Sequence, residues 1–155
     1  MRAFLIAAIG VLALDQLSKW WIVWHLGLID RLAIDVIPPL LNLRMGWNYG
    51  INFGLFADAG PVQRFALVGL AVGVSLALAI WSRRMPGPVP RLAAGAIAGG
   101  ALGNAWDRLA HGAVADFLNM SCCGLQNPWT FNIADIAIFA GAAILIIWPH
   151  PEAPR

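Results

Sequence analysis

Apolar residues along this chain fall into four long runs separated by polar, glycine- and proline-rich intervals. The runs cover about residues 3–24, 62–81, 92–110 and 131–148, each near the ~20 helical residues needed to cross a hydrocarbon core. The pattern predicts an integral membrane, mainly α protein: a four-helix transmembrane bundle in one domain, 1–155. Charge enters the C-terminal halves of the first and third runs, as Asp15 and Lys19 in one and Asp107 and Arg108 in the other. Between the first two runs, L-L-N-L-R-M-G-W-N-Y-G-I-N-F-G-L-F (40–56) alternates apolar and polar residues around Gly46, Gly50 and Gly54. Such alternation predicts short strands and a turn, hence a small extracytoplasmic sheet within the outer loop 25–61. The second outer loop, 111–130, ends in N-P-W-T, where Pro128 breaks structure and Thr130 is placed to cap the last helix.

Composition agrees with the pattern. The chain is 60% hydrophobic and 12% charged, with too few polar residues to cover a soluble domain of its size. A net charge of +2 gives no basis for nucleic-acid binding. The distribution of charge says more. Arg2, Arg83, Arg84, Arg91 and Arg155 fall on one side of a four-span arrangement, which the positive-inside rule makes cytoplasmic, with both termini inside. Arg31 and Arg44, on the other side, are offset by Asp30, Asp35 and Asp58. The N-terminal run resembles a signal peptide but lacks a small-x-small cleavage site, so it reads as a retained first span. No L-[AS]-[GA]-C box follows the start. Trp20, Trp21, Trp24, Trp81 and Trp148 stand near the span ends as an aromatic belt. Cys122 and Cys123 are adjacent, and His25, His111 and His150 do not cluster. Neither a disulfide framework, a metal site nor a cofactor is indicated, and no serine has a base placed to activate it.

Small residues recur every fourth position at Gly95, Gly99 and Gly103, a row that ends on Asp107, and again at Gly69, Gly73 and Ala77. That spacing lets helix backbones approach, so the second and third spans are expected to pack on one another. Three aspartates, Asp107, Asp116 and Asp135, lie at the edges of apolar runs, where an ionisable group is costly and marks a functional candidate. Asn132 and Asp135 share a face at i, i+3. If the third and fourth spans are neighbours, Asp116 and Asp135 meet near the outer membrane surface. Two carboxylates in a poorly hydrated site do not both ionise, which leaves the acid and base needed to activate water against an amide. Asn104 and Asn132 can donate to an anionic carboxylate, and Arg108 offers a fork for a carbonyl or lipid oxygen. Asp15 with Lys19, and Asp107 with Arg108, read as ion pairs that make charge tolerable. A small proton-coupled transporter would also hold carboxylates at membrane depth, although no internal repeat relates the two halves.

D-Q-L-S-K (15–19), N-Y-G-I-N-F (48–53), G-G-A-L-G-N-A-W-D-R (99–108), V-A-D-F (114–117) and F-N-I-A-D (131–135) together resemble, in order and spacing, the lipoprotein signal peptidases of the signal peptidase II family. The resemblance covers nearly the whole chain. It implies an intramembrane aspartic endopeptidase of the bacterial cytoplasmic (inner) membrane, inhibited by globomycin. Its substrate would be a prolipoprotein, cleaved just before the diacylglyceryl-modified cysteine. The catalytic pair then maps onto Asp116 and Asp135, and the substrate contacts onto Asn48 and Gly50 of the N-x-G segment and onto Asn104 and Arg108. Asp15, Lys19, Asp107 and Asn132 become supporting residues. The implied fold adds a β-cradle and a short outer helix gating the site. Tyr49, Ile51 and Asn52 stand where the family often carries Thr, Ala and Ala.

Overall fold

The computed structural model describes residues 1–50 and 60–148. Ile51, Asn52, Phe53, Gly54, Asp58, His150 and Arg155 lie outside the described residues. Four long helices account for most of the rest. They are α1 (Arg2–Lys19), continued by a π-helical segment (Trp20–His25), α3 (Gly60–Ser82), α4 (Pro88–His111) and α5 (Ile133–Ile147). A single turn, α2 (Leu28–Arg31), leads into strands β1 (Ala33–Ile37) and β2 (Leu41–Asn48), and a third strand, β3 (Val114–Asn119), lies between α4 and α5.

Arg2–His25 and Gly60–Ser82 are long and apolar enough to cross a membrane, and α5 is apolar but shorter. Helix α4 is less apolar because it is the central helix, packed against α1, α3 and α5. Its buried face is made of Ala93, Ala94, Ala98, Gly99, Asn104 and Asp107 among others, small and polar residues that face protein rather than lipid.

The α4 glycine row does not serve the contact expected of it. A Cβ at Gly95 or Gly99 would strike the backbone carbonyls of Phe4 or Ala8, and one at Gly103 would lie 2.7 Å from Asp15 Oδ2. The row is therefore the seam between α4 and α1. Gly69 and Gly73 of α3 meet nothing within 4 Å, so the second and third spans pack without them, with Ser75 Oγ reaching Ala98 O at 3.4 Å. Gly100 and Gly141 form a separate seam between α4 and α5, with Cβ positions 2.6 Å from Ala134 O and Ala93 O respectively.

The sheet is antiparallel throughout, in the order β1-β2-β3. β3 was not expected, since residues 111–130 read as a loop. It escapes the alternation test because Val114, Ala115, Asp116 and Phe117 are all buried, leaving no polar face to mark it. Ala115 and Phe117 pack with Val23, Leu28 and Leu43 in a core that joins the sheet to the outer end of α1. Phe131, placed by the sequence in the fourth span, instead pairs with Leu118. Helix α5 consequently starts at Ile133, and its cap is Asn132 rather than Thr130.

Candidate active site

Asp116 and Asp135 reach the same place by different routes. Asp116 sits in β3 opposite Gly46 of β2. Thr130 Oγ1 occupies the space a side chain at Gly46 would need, so the absence of a Cβ there lets the 127–131 segment lie close against the sheet. Asp135 is the third residue of α5 and completes a capping box with Asn132. Asn132 Oδ1 accepts from the Asp135 N–H at 2.9 Å, and Asp135 Oδ2 accepts from the Asn132 N–H at 3.3 Å. The same Asn132 donates Nδ2 to Asp116 Oδ1 at 2.6 Å and to Asn104 Oδ1 at 3.1 Å. Asn104 in turn donates Nδ2 to Asp135 Oδ1 at 3.0 Å. Both carboxyl groups are buried, Asp116 at 3% exposed and Asp135 at 4%.

Their environments differ. The Asp135 carboxylate lies in the first turn of a helix, where the helix dipole favours negative charge. The Asp116 carboxyl is pushed up to about 7, chiefly by burial and then by the charge of Asp135, against the opposing hydrogen bonds of Asn48 and Asn132 and the charge of Lys19. Asn48, at the end of β2, donates Nδ2 to Asp116 Oδ2 at 3.2 Å and accepts from the Gly50 N–H at 3.1 Å. Arg108 spans the two elements, donating to Gly50 O at 2.5 Å and to Asn104 O at 3.3 Å. An apolar groove of about 530 Å³, lined by Trp129, Phe131, Ile136 and Phe139, has Asp135 in its wall.

A second group of carboxylates lies beneath the first. Lys19 Nζ reaches Asp15 Oδ2 at 2.7 Å, Asp107 Oδ2 at 2.8 Å and Asn104 Oδ1 at 3.4 Å, so each of its three N–H groups has an acceptor. Gln16 Nε2 bridges Asp15 Oδ2 at 3.0 Å and Asp107 Oδ1 at 2.9 Å. No group of three or more His, Cys, Asp or Glu residues able to hold a metal ion occurs among the described residues.

The family described as Signal peptidase (SPase) II matches residues 7–149. The chain belongs to the signal peptidase II family. Among curated relatives, the lipoprotein signal peptidase of Methylorubrum extorquens (strain PA1) is 40% identical over 161 residues, covering 99% of this chain and 89% of the relative. That of Shewanella amazonensis is 41% identical over 149 residues, 95% of this chain and 86% of the relative. A bacterial membrane enzyme solved at 2.3 Å by the in meso method superposes with a TM-score of 0.80 at 26% identity, over 95% of this chain and 87% of the other. A second, solved at 1.9 Å, shares the fold with a TM-score of 0.78 at 24% identity. Membership in the family makes this chain a membrane protein and a protease. Membership in that family leaves no support for the proton-coupled transporter that the buried carboxylates alone allowed.

Of the residues that the sequence points to, Asn48, Gly50, Asn104, Arg108, Asp116, Asn132 and Asp135 come together in one hydrogen-bonded group. Asp15, Lys19 and Asp107 join it through Asn104. One pairing is corrected. Asp107 is not the partner of Arg108: successive residues on a helix point apart, and Asp107 turns to Lys19 and Gln16 of α1 while Arg108 turns to the sheet. Gln16 is a member of the group that the sequence reading does not name; an amide next to Asp15 in an apolar helix is itself a signal. Cys122 and Cys123 are free and exposed, away from the group. His25 stacks on Trp21 with ring centroids 4.3 Å apart, and His111 lies 5.1 Å from Trp24.

Proposed function

We propose that this protein is an aspartic endopeptidase that removes the signal peptide from diacylglyceryl-modified prolipoproteins, cutting before the lipidated cysteine, with Asp116 and Asp135 as its catalytic pair. The observation that carries the reading is the sharing of Asn132. One side chain caps the helix that presents Asp135 and donates to Asp116, so two buried carboxyl groups are held together by an amide, and among the described residues neither forms an ion pair. Asp116, with its raised pKa, keeps the proton, and Asp135 is the base. Asp135 takes a proton from a bound water, the water oxygen attacks the scissile carbonyl, and Asp116 donates its proton to the carbonyl oxygen. Asp135 then passes the proton it took to the leaving nitrogen while Asp116 recovers one from a hydroxyl of the tetrahedral diol, so the C–N bond breaks, the new carboxyl terminus and the amine of the cysteine are released, and both aspartates return to their starting states.

Asn48, Gly50, Asn104 and Arg108 line the approach to the pair and serve substrate binding as well as positioning. The apolar groove beside Asp135 suits a substrate whose flanking parts are apolar, namely a signal-peptide core and acyl chains. All four long helices cross the bacterial inner membrane, with both termini cytoplasmic, the basic turn at Arg83 and Arg84 inside, and the sheet outside. Membrane lipids surround the bundle, and a globomycin-type inhibitor competes at the same pair. The deciding experiment is cleavage of a diacylglyceryl-modified prolipoprotein by Asp116→Asn and Asp135→Asn variants. Both are expected to be inactive while folded and membrane-inserted; near wild-type processing by either variant would refute the assignment.

A further inference from the structure

The ion cluster of Asp15, Lys19 and Asp107 takes no part in the proton transfers above, yet it is among the most deeply buried charge in the protein, at 0, 1 and 2% exposed. Making charge tolerable is too weak an account of it. Three charged groups left out of a membrane-embedded helix pair would need no such compensation, and a buried ion cluster is seldom more stable than a well-packed apolar one. The oxygens not used by Lys19 alone show what else the cluster holds. Asp107 Oδ2 accepts from the Ala115 N–H at 3.1 Å, and Asp15 Oδ1 accepts from the Ala134 N–H at 3.0 Å. Ala115 directly precedes Asp116, and Ala134 directly precedes Asp135. Each acid of the cluster therefore grips the amide N–H of the residue immediately before one acid of the catalytic pair, and Lys19 ties the two grips together.

We propose that the Asp15–Lys19–Asp107 cluster is a positioning centre for catalysis, fixing the separation of Asp116 and Asp135 through the Ala115 and Ala134 amides. This rests on the assignment of the catalytic pair. The amide of Ala115, although it lies in β3, donates to the Asp107 carboxylate. The amide of Ala134 is one of the first-turn donors that α5 itself leaves without a partner. Both are backbone groups, so the clamp acts on the main chain whatever the aspartate rotamers do. Displacement of a reacting group by about 1 Å can cost on the order of 100-fold in rate, and a tie of this kind prevents such displacement.

The test uses the full chain in detergent or lipid, with diacylglyceryl-modified prolipoprotein as substrate. In one arm Asp107→Asn removes the charge that holds the Ala115 amide. In the other, Ala115 is replaced by lactic acid through suppressor-tRNA synthesis, which changes that amide to an ester and deletes one N–H while leaving every side chain in place. Positioning predicts that kcat falls about 10- to 100-fold in both arms, with KM changed less than about twofold and with retention of the melting temperature in the ester arm. A kcat within about threefold of wild type in the ester protein overturns the proposal. So does a loss in both arms that follows the melting temperature alone, since that is what a purely structural cluster gives. Asp116→Asn and Asp135→Asn controls keep the two readings apart: activity in either of those variants sinks the catalytic pair, whereas inactive controls with a normal ester protein sink only the clamp.

Discussion

Two pairs of aspartates are buried in this protein within one hydrogen-bonded group, and they are treated in opposite ways. Asp15 and Asp107 share a lysine at 2.7 and 2.8 Å and receive a glutamine and two backbone amides besides. Asp116 and Asp135 receive asparagines, each other's field and that of the Arg108 guanidinium, and among the described residues neither forms an ion pair. A carboxylate with a cation is a fixed charge; a carboxylate facing another carboxylate is a proton-exchanging one. Identical side chains thus become scaffold or reagent according to whether Lys19 reaches them, and Asn104, which contacts Lys19 on one side and Asp135 on the other, is the boundary.

The largest expected effect breaks the reagent pair. Asp116→Asn should lower kcat by about 10³-fold, measured by prolipoprotein cleavage, while the folded protein persists. Breaking the scaffold pair should cost stability as well as rate. Lys19→Met leaves two buried carboxylates without their counter-ion and should cost about 3–5 kcal/mol of stability, seen as a large drop in thermal midpoint at pH 8 that acidification partly restores. A third difference appears in pH dependence. The folded protein holds the Asp116 proton more tightly than the unfolded chain, so its contribution to stability is full below about pH 3.8 and is lost as pH rises through about 7. Wild type should accordingly lose activity above about pH 7 and become less stable than Asp116→Asn there by up to a few kcal/mol; parallel melting curves of the two proteins from pH 5 to 9 would contradict this. The smallest effect separates the glycine rows. Gly103→Ala pushes on Asp15 and should cost about 1–3 kcal/mol, whereas Gly73→Ala, facing open space, should stay within about 0.5 kcal/mol of wild type.

Much of this arrangement is legible in the chain itself, for reasons that differ from residue to residue. The runs that form the long helices announce themselves because lipid and neighbouring helices both favour apolar side chains. Asp116 and Asp135 stand out because charge at the edge of such a run is costly, and the F-N-I-A-D spacing puts Asn132 and Asp135 on one face. β3 was illegible because burial on both faces erases the period-two signal. The partner of the α4 glycine row was illegible too: a small-residue row states that something comes close and not what, and here α1 carries the matching Phe4 and Ala8 backbone. Asp107 next to Arg108 invited a local pairing that helix geometry forbids. Its true partner is 88 positions away, at Lys19.

Asn132 ends the first turn of α5 on one side and holds Asp116 on the other. Fraying of that turn and dispersal of the catalytic group are for this reason a single event. Amide exchange at the start of α5 therefore gauges readiness: the fraction of molecules in which the Asp135 N–H, bonded to Asn132, opens to deuterium is the fraction unable to cut.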